Sequence, residues 1–253
     1  MMYLEFLKRK LMSRLAYRKD FIFDIISSTI WSLLQPLFIL LVYGMGAEYP
    51  GWSFNEMLVF LGFFNLLVGL NKSIFRGFFK KVEEYVREGK LELVLVKPIS
   101  EIYYLLGKGI SFENIGQTIT GIVLLIAGIV KASLDPNLFI VILFSLSAFI
   151  LYFSFILLSS SFAIKYVMVS RLLEIIDVTF EIGDKPMNIF PRFIELAFGV
   201  FFPLFLMSYY PASAMLGFEI DYIFIPLIST VVVFITMLLY WKYTLTTYTG
   251  ASG

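Results

Sequence analysis

Six stretches of this chain, 21–43, 56–74, 112–130, 137–163, 192–209 and 222–241, are rich in Leu, Ile, Phe and Val and nearly free of charge. A helix needs about 20 mostly apolar residues to cross a bilayer core of about 30 Å, and each stretch approaches that length. In lipid every backbone N–H and C=O has to be satisfied inside the protein. Uninterrupted apolar runs do this as helices rather than as barrel strands. The expected fold is therefore all-α and integral to a membrane, with six transmembrane helices in one domain over 1–253. Composition agrees: 15% of the 253 residues are charged, against about 25% in soluble domains.

Orientation follows from the basic residues. Nineteen of the 20 Lys and Arg fall before the first run, between the second and third, between the fourth and fifth, or after the sixth. Lys131 alone falls on the other side. Cytoplasmic loops carry the excess of Lys and Arg, so both termini are expected in the cytoplasm. The first run is too long for a signal-peptide core and lacks a small-residue cleavage pattern, so it reads as an uncleaved span.

The chain has no cysteine and no histidine. That excludes disulfides, thiolate nucleophiles, Cys/His zinc sites and imidazole acid–base chemistry. No catalytic, cofactor or metal residues are expected, and no nucleic-acid partner. Glu174, Asp177, Glu181 and Asp184 are spaced three and four apart. On a helix they form an acidic stripe opposite Leu172, Leu173, Ile175 and Ile176, which reads as a solvated face of an inner loop. A carboxylate site for Mg²⁺ or Ca²⁺ is the alternative, and a contact for a cytoplasmic partner is a third.

Leu4, Leu7, Leu11 and Leu15 recur at helical spacing, with Glu5, Arg9 and Lys10 off the stripe. This segment is either an N-terminal amphipathic helix lying in the interface or a positive-inside anchor. Inside the spans, polar residues are expensive and often functional. Gln35 and Pro36 would kink the first span, since Pro removes a backbone bond. Asn65, Asn71, Glu113, Asn114, Gln117, Thr118 and Thr120 mark the second and third, and Glu195 the start of the fifth. Each reads either as helix–helix hydrogen bonding or as a pathway contact. Residues 210–221 are apolar for a surface loop and fit a segment that dips back into the membrane as an outer gate.

The 85–100 stretch, "YVREGKLELVLVKPIS", alternates like half a strand but has no strand to pair with. Gly89 suits the left-handed turn that ends a helix. Leu91, Val94 and Leu95 share a helical face, with Glu92 pointing away, and Pro98 blocks continuation. A short cytoplasmic helix of about two turns and an ordinary solvated loop are both compatible with so short a run.

"REGKLELVLVKPISEIYYLLGKGI" resembles the R-x-x-G-t-l-E-x-l-l-x-x-P-i-s … l-G-K segment of ABC-type-2 transporter permeases, the six-helix membrane subunits of ATP-driven exporters. Two further stretches are similar to that family. "KPMNIFPRFIELAFGVFFPLFLMSYYPASAMLG" resembles its fifth span and re-entrant turn, with Pro186, Pro191, Pro203 and Pro211 at its prolines. "WKYTLTTYTGASG" resembles the ending of one uncharacterised branch, though Thr244 stands where that branch has Gly and Gly250 where it has Ser. The resemblance implies that 87–98 is a coupling helix docking on an ATPase subunit, through Arg87, Glu88, Gly89, Leu91, Glu92, Leu95 and Pro98. It further implies a second permease, as homodimer or heterodimer, a prokaryotic plasma membrane, and a pathway or gate among Gln35, Pro36, Asn65, Glu113, Gln117, Glu195, Pro203 and Pro211. Gly107-Lys108-Gly109 lacks the spacing of a phosphate-binding G-x-x-x-x-G-K-[ST] loop, so ATP and Mg²⁺ are expected on the partner. The alternative function is an ion-gradient-driven secondary transporter using Glu113 or Glu195.

Overall fold

The computed structural model describes residues 8, 10–13, 15–132, 135–166, 169, 171–220 and 223–248. The N-terminal stripe residues Leu4, Glu5, Leu7 and Arg9, and the ending after Tyr248, lie outside them. The described residues form helices and turns, with one isolated bridge between Tyr49 and Trp52 and no strand.

Among the described residues four helices are long and apolar enough to cross a membrane: α1 (Arg18–Gly44), α2 (Phe54–Arg87), α6 (Leu138–Tyr166) and α10 (Phe224–Thr246). Between α2 and α6 lie the single turn α3 (Glu92–Leu95), α4 (Glu101–Gly109) and the 15-residue α5 (Ile115–Ile129). After α6 come α7 (Leu172–Phe180), α8 (Arg192–Leu196) and α9 (Tyr209–Leu216), joined by 3₁₀ and π turns. The bundle has two ends. Residues 45–53, 130–132, 135–137 and 217–220 make a short-loop end, and 88–114 with the C-terminus of α10 make a basic end.

α2 is the central post, and its length follows from its caps. At its start the Ser53 N–H donates to the Glu56 carboxylate at 2.7 Å. At its end Gly89 adopts φ +66°, Lys90 N–H reaches the Tyr85 carbonyl at 2.8 Å and Gly89 N–H reaches the Val86 carbonyl at 3.1 Å. These two crossing bonds are the Schellman stop that a glycine permits. α5 packs along α2 with almost no side chain between them: a Cβ on Gly121 would lie 2.2 Å from the Leu66 nitrogen. Small residues allow such approach between membrane helices. Gly77 and Gly109 bring α2 against α4 in the same way, a Cβ on Gly77 falling 1.7 Å from the Gly109 carbonyl oxygen.

The fifth expected span, 192–209, is not a helix. α8 gives way to a π turn at Ala197–Phe201, Phe202 and Pro203 leave helical geometry, and a 3₁₀ turn at Leu204–Met207 leads into α9. Pro203 lacks the N–H and crowds the preceding turn, so no helix continues through it. Phe202 lies against Phe155 in the second half of α6. Gly217, after α9, meets Asp135 at the short-loop end. Residues 192–216 therefore dip into the bundle from the short-loop end and return to it. The hairpin begins well before the expected 210–221 and takes up the stretch read as a span.

The segment 172–189, read from sequence as an inner loop, instead runs along the bundle from the basic end to the short-loop end. α7 starts near the end of α6 at the basic end. Its Asp177 carboxylate meets Lys72 and Arg76 of α2. Further on, the Asp184 carbonyl accepts a bond from Gln35 of α1, and Asn188 donates to the Pro50 carbonyl at the short-loop end at 2.8 Å. Lys185 and Arg192 accordingly sit at the short-loop end with Lys131, which corrects the expected nineteen-to-one split.

Candidate functional site

The 172–184 segment, α1, α2 and the start of α5 enclose an open cleft of about 540 Å³, within the ordinary range for ligand sites of about 300–1,000 Å³. Four expected pathway residues meet there: Gln35, Asn65, Glu113 and Gln117. Gln117 donates to Asn65 at 3.4 Å. Gln35 donates to the Asp184 carbonyl at 2.9 Å, which ties α1 to the 172–189 segment. Pro36 is buried one residue away, and α1 runs on through it to Gly44 without ending. Ser32 of α1 donates to Thr120 of α5 at 2.7 Å.

Sequence reading missed the charges of this cleft. Asp177, Glu181 and Asp184 line it, with Lys72, Asp24 and the apolar Trp31, Phe64 and Phe180. Lys72 Nζ lies 3.3 Å from Asp177 Oδ1, and Arg76 Nη1 3.2 Å from Oδ2. The contacts are ion pairs by distance, and neither is a well-directed hydrogen bond. Lys80 reaches Glu113 at 3.2 Å, and Lys185 holds Asp184 at 2.6 Å. The expected solvated stripe is thus divided: Glu174 faces outward, while Asp177, Glu181 and Asp184 face the cleft. No three carboxylates converge on a cation-sized point among the described residues. Lys72 and Arg76, one turn apart just beyond the apolar part of α2, were the sequence signal that an acidic partner had to lie opposite.

Glu195 lies elsewhere, in a second pocket of about 460 Å³ at the short-loop end with Arg192, Tyr209 and Tyr210, where Arg192 bonds it at 3.2 Å. It does not stand at the basic end as expected. Pro203 forms the tip of the dipping hairpin, and Pro211 sits in the first turn of α9, where its missing N–H costs nothing. The hairpin is stitched by Tyr210 donating to the Gly199 carbonyl at 3.0 Å and by Ser208 donating to the Gly183 carbonyl.

At the basic end, the 87–98 segment forms one helical turn where about two were expected. Leu91 is 0% exposed and Val94 is also buried, both turned into the protein. Leu91 is therefore an anchor and cannot share a docking face with Leu95. The side chains that project are Leu93, at 62% exposure, Val96, at 79%, and part of Leu95. Lys90 bonds Glu88 at 2.8 Å, which holds the Glu88 carboxyl below its ordinary range and raises the Lys90 ammonium. On either side of Pro98, the ammonium groups of Lys97 and Lys108 lie over the Tyr104 ring at 5.1 and 5.9 Å. Trp241 of α10 donates to Glu101 at 3.4 Å. The turn is thus anchored through buried Leu91 and Val94 and lies beside α4, which is itself tied to α10, with an apolar tip left outside.

A polar cleft inside a helical bundle and a rigidly held turn at its end are found together on a chain whose residues 29–252 match the model of an ABC-2 family transporter protein. The chain belongs to the ABC-2 transporter family. It is a multi-pass membrane protein of that family, with its bundle in lipid. No curated protein and no solved structure matches it. The family match covers α2, the basic-end turn, most of the cleft and the hairpin, and leaves out the first part of α1 with the cleft residues Phe23, Asp24, Ser27 and Ser28.

Proposed function

We propose that this ABC-2 protein is the permease subunit of an ATP-driven exporter in the plasma membrane of a prokaryote. Its six crossings are α1, α2, α5, α6, 172–189 and α10, which put both termini and the basic end in the cytoplasm. Two copies, or this chain and a related permease, form the pathway. A separate ABC ATPase, carrying ATP and Mg²⁺, docks on 87–98, and this chain itself performs no catalysis.

The observation that carries the reading is the anchored turn with Leu93 and Val96 exposed. Apolar side chains held out from a fixed segment are suited to a protein partner. The Schellman stop at Gly89 and the anchors Leu91 and Val94 let a push on that tip reach α2, which lines the cleft. Coupling then requires that nucleotide and cargo each favour one arrangement of the cleft over the other. The dipping hairpin, with Pro203 at its tip and Tyr210 bracing it, serves as the outer gate.

The test is co-purification with an ABC ATPase from the same genome. Leu93→Ser with Val96→Ser is expected to weaken the complex while leaving the melting point of the permease unchanged. Gly89→Pro is expected to uncouple hydrolysis from transport, because Pro locks φ near −65°. If hydrolysis and assembly are unaffected when residues 92–96 are replaced, the coupling role fails. Transport that survives an inactive ATPase but collapses with the proton or sodium gradient would favour the secondary-transporter alternative.

A further inference from the structure

Two cavities meet along α1. The cleft of about 540 Å³ and a further cavity of about 320 Å³ share Leu34, Gln35 and Asp184 in their linings. On the cleft side the walls carry Asn65, Gln117 and the carboxylates. Beyond the shared residues they carry Phe38, Ile39, Tyr49 and Lys185. Tyr49 belongs to the short-loop end, so the two cavities are halves of one groove between α1 and the 172–189 segment. The Gln35 side chain bridges that groove at its waist.

The bridge ends on a turn that is held from its other side as well. Gln35 Nε2 donates to the Asp184 carbonyl at 2.9 Å, and Ser208 of the hairpin donates to the carbonyl of the preceding residue, Gly183. Gly183 is buried, and a Cβ on it would lie 3.0 Å from the Leu204 carbonyl oxygen. The turn therefore sits directly on the hairpin backbone. Lys185 takes up the Asp184 carboxylate at 2.6 Å, and the backbone carbonyl is what α1 holds.

Both neighbours of this turn have backbone that can give. Pro36 has no N–H to offer the Ser32 carbonyl, so the α1 ladder lacks a bond one residue from the bridge. Such prolines are where long helices bend. The hairpin passes through a π turn at Ala197–Phe201 and a 3₁₀ turn at Leu204–Met207, with Phe202 and Pro203 outside helical geometry between them. Two hydrogen bonds to adjacent carbonyls thus connect a proline-weakened helix to an irregular hairpin.

We propose that the Glu181–Asp184 turn is a latch tying the hairpin to the waist of the groove, with Gln35 and Ser208 as its two positioning residues. While the hairpin holds Gly183, Asp184 is presented to Gln35 and the groove is divided in two. When the hairpin shifts, the turn moves with it, the Gln35 bond is released and the two cavities join. The part of the latch in transport rests on the pathway and outer-gate roles proposed above, whereas the mechanical link between hairpin and α1 does not.

The chain has no cysteine, so spin labels go cleanly onto Leu37→Cys of α1 and Phe201→Cys of the hairpin, both exposed positions. The full-length protein in lipid nanodiscs is read by double electron–electron resonance, which needs neither the ATPase nor a known orientation. Gln35→Ala and Ser208→Ala are each expected to raise the ratio of long to short distances about fivefold, the worth of one ordinary hydrogen bond. The two bonds lie in series, so the double variant is expected to stay near that value. Ser213→Ala removes a buried hairpin hydroxyl that makes no hydrogen bond among the described residues, and it is expected to leave the distances unchanged. A wild-type distribution in Ser208→Ala, or a double variant near the product of two independent bonds, overturns the latch. Where Ser208→Ala does not fold, Gly183→Ala presses a methyl toward the Leu204 carbonyl and is expected to lengthen the distances in the same way. A wild-type distribution in that variant also overturns the latch. Coupled distances in a protein whose transport survives an inactive ATPase support the latch and overturn only the exporter reading.

Discussion

Two neighbouring faces of α2 are built on opposite principles. Along one, Gly62, Gly69 and Gly77 let α5 and α4 press backbone to backbone. This seam is held by van der Waals packing, the main attraction available between helices in lipid. Along the other, Asn65, Val68 and Lys72 look into the cleft of about 540 Å³, where contacts are hydrogen bonds and ion pairs across open space. A dry seam has one good arrangement, because cores are close-packed and resist small displacement. A wet, ion-paired face can exchange partners with ions, water or cargo. One helix thus carries both a close-packed frame and an open, ion-paired surface.

The sharpest way to break this contrast is to overfill the seam. Gly121→Val places its new atoms against the Leu66 backbone, which cannot yield, and is expected to cost about 3 kcal/mol or to prevent folding. Thermal melting of the detergent-purified protein reads the effect, and an unchanged midpoint would show that the seam is looser than described. A smaller loss is expected at the ion pairs. Asp177→Asn leaves Lys72 and Arg76 facing each other, at about 1–2 kcal/mol, between the values for exposed and buried pairs. Lys72→Met added to it should return part of that loss in a double-mutant cycle. The smallest effect on stability is expected at Glu181, which lines the cleft and is exposed. Glu181→Gln should stay within about 0.5 kcal/mol yet alter cargo-stimulated hydrolysis of the co-purified ATPase. If neither stability nor stimulation changes, the cleft wall at Glu181 is not part of the pathway.

Much of this architecture was legible. The apolar runs at 21–43, 56–74, 137–163 and 222–241 coincide with the four long helices, because length and hydropathy are local properties. Gly89 and Pro98 marked the bounds of the basic-end turn, since backbone constraints of Gly and Pro need no tertiary context. Gln35, Asn65, Glu113 and Gln117 announced themselves as polar groups in apolar surroundings, and the fold brought them to one cleft. The course of 172–189 along the bundle was illegible for a physical reason. Asp177, Glu181 and Asp184 made 172–189 look like a loop, because hydropathy counts a carboxylate at its full cost in lipid. In the fold Asp177 is met by Lys72 and Arg76, about 100 residues earlier, and that cost is largely cancelled. The 192–209 stretch, charged only at Arg192 and Glu195, looked like a span instead, although Pro203 denies it a continuous helix.

Sequence alone determined that the chain is a helical membrane protein of mostly apolar spans, with a Gly-stopped, Pro-bounded turn at its basic end and no thiol or imidazole chemistry. These follow from composition, periodicity and the backbone limits of single residues. Tertiary structure decided which segment runs the length of the bundle and which turns back within it, and that Leu91 anchors while Leu93 and Val96 project. It also decided that Gln35 and Ser208, far apart in the chain, bond neighbouring carbonyls of one turn. Each of those outcomes depends on which distant partner cancels a charge, bonds a carbonyl or covers an apolar face, and such pairings are made only when the chain is packed.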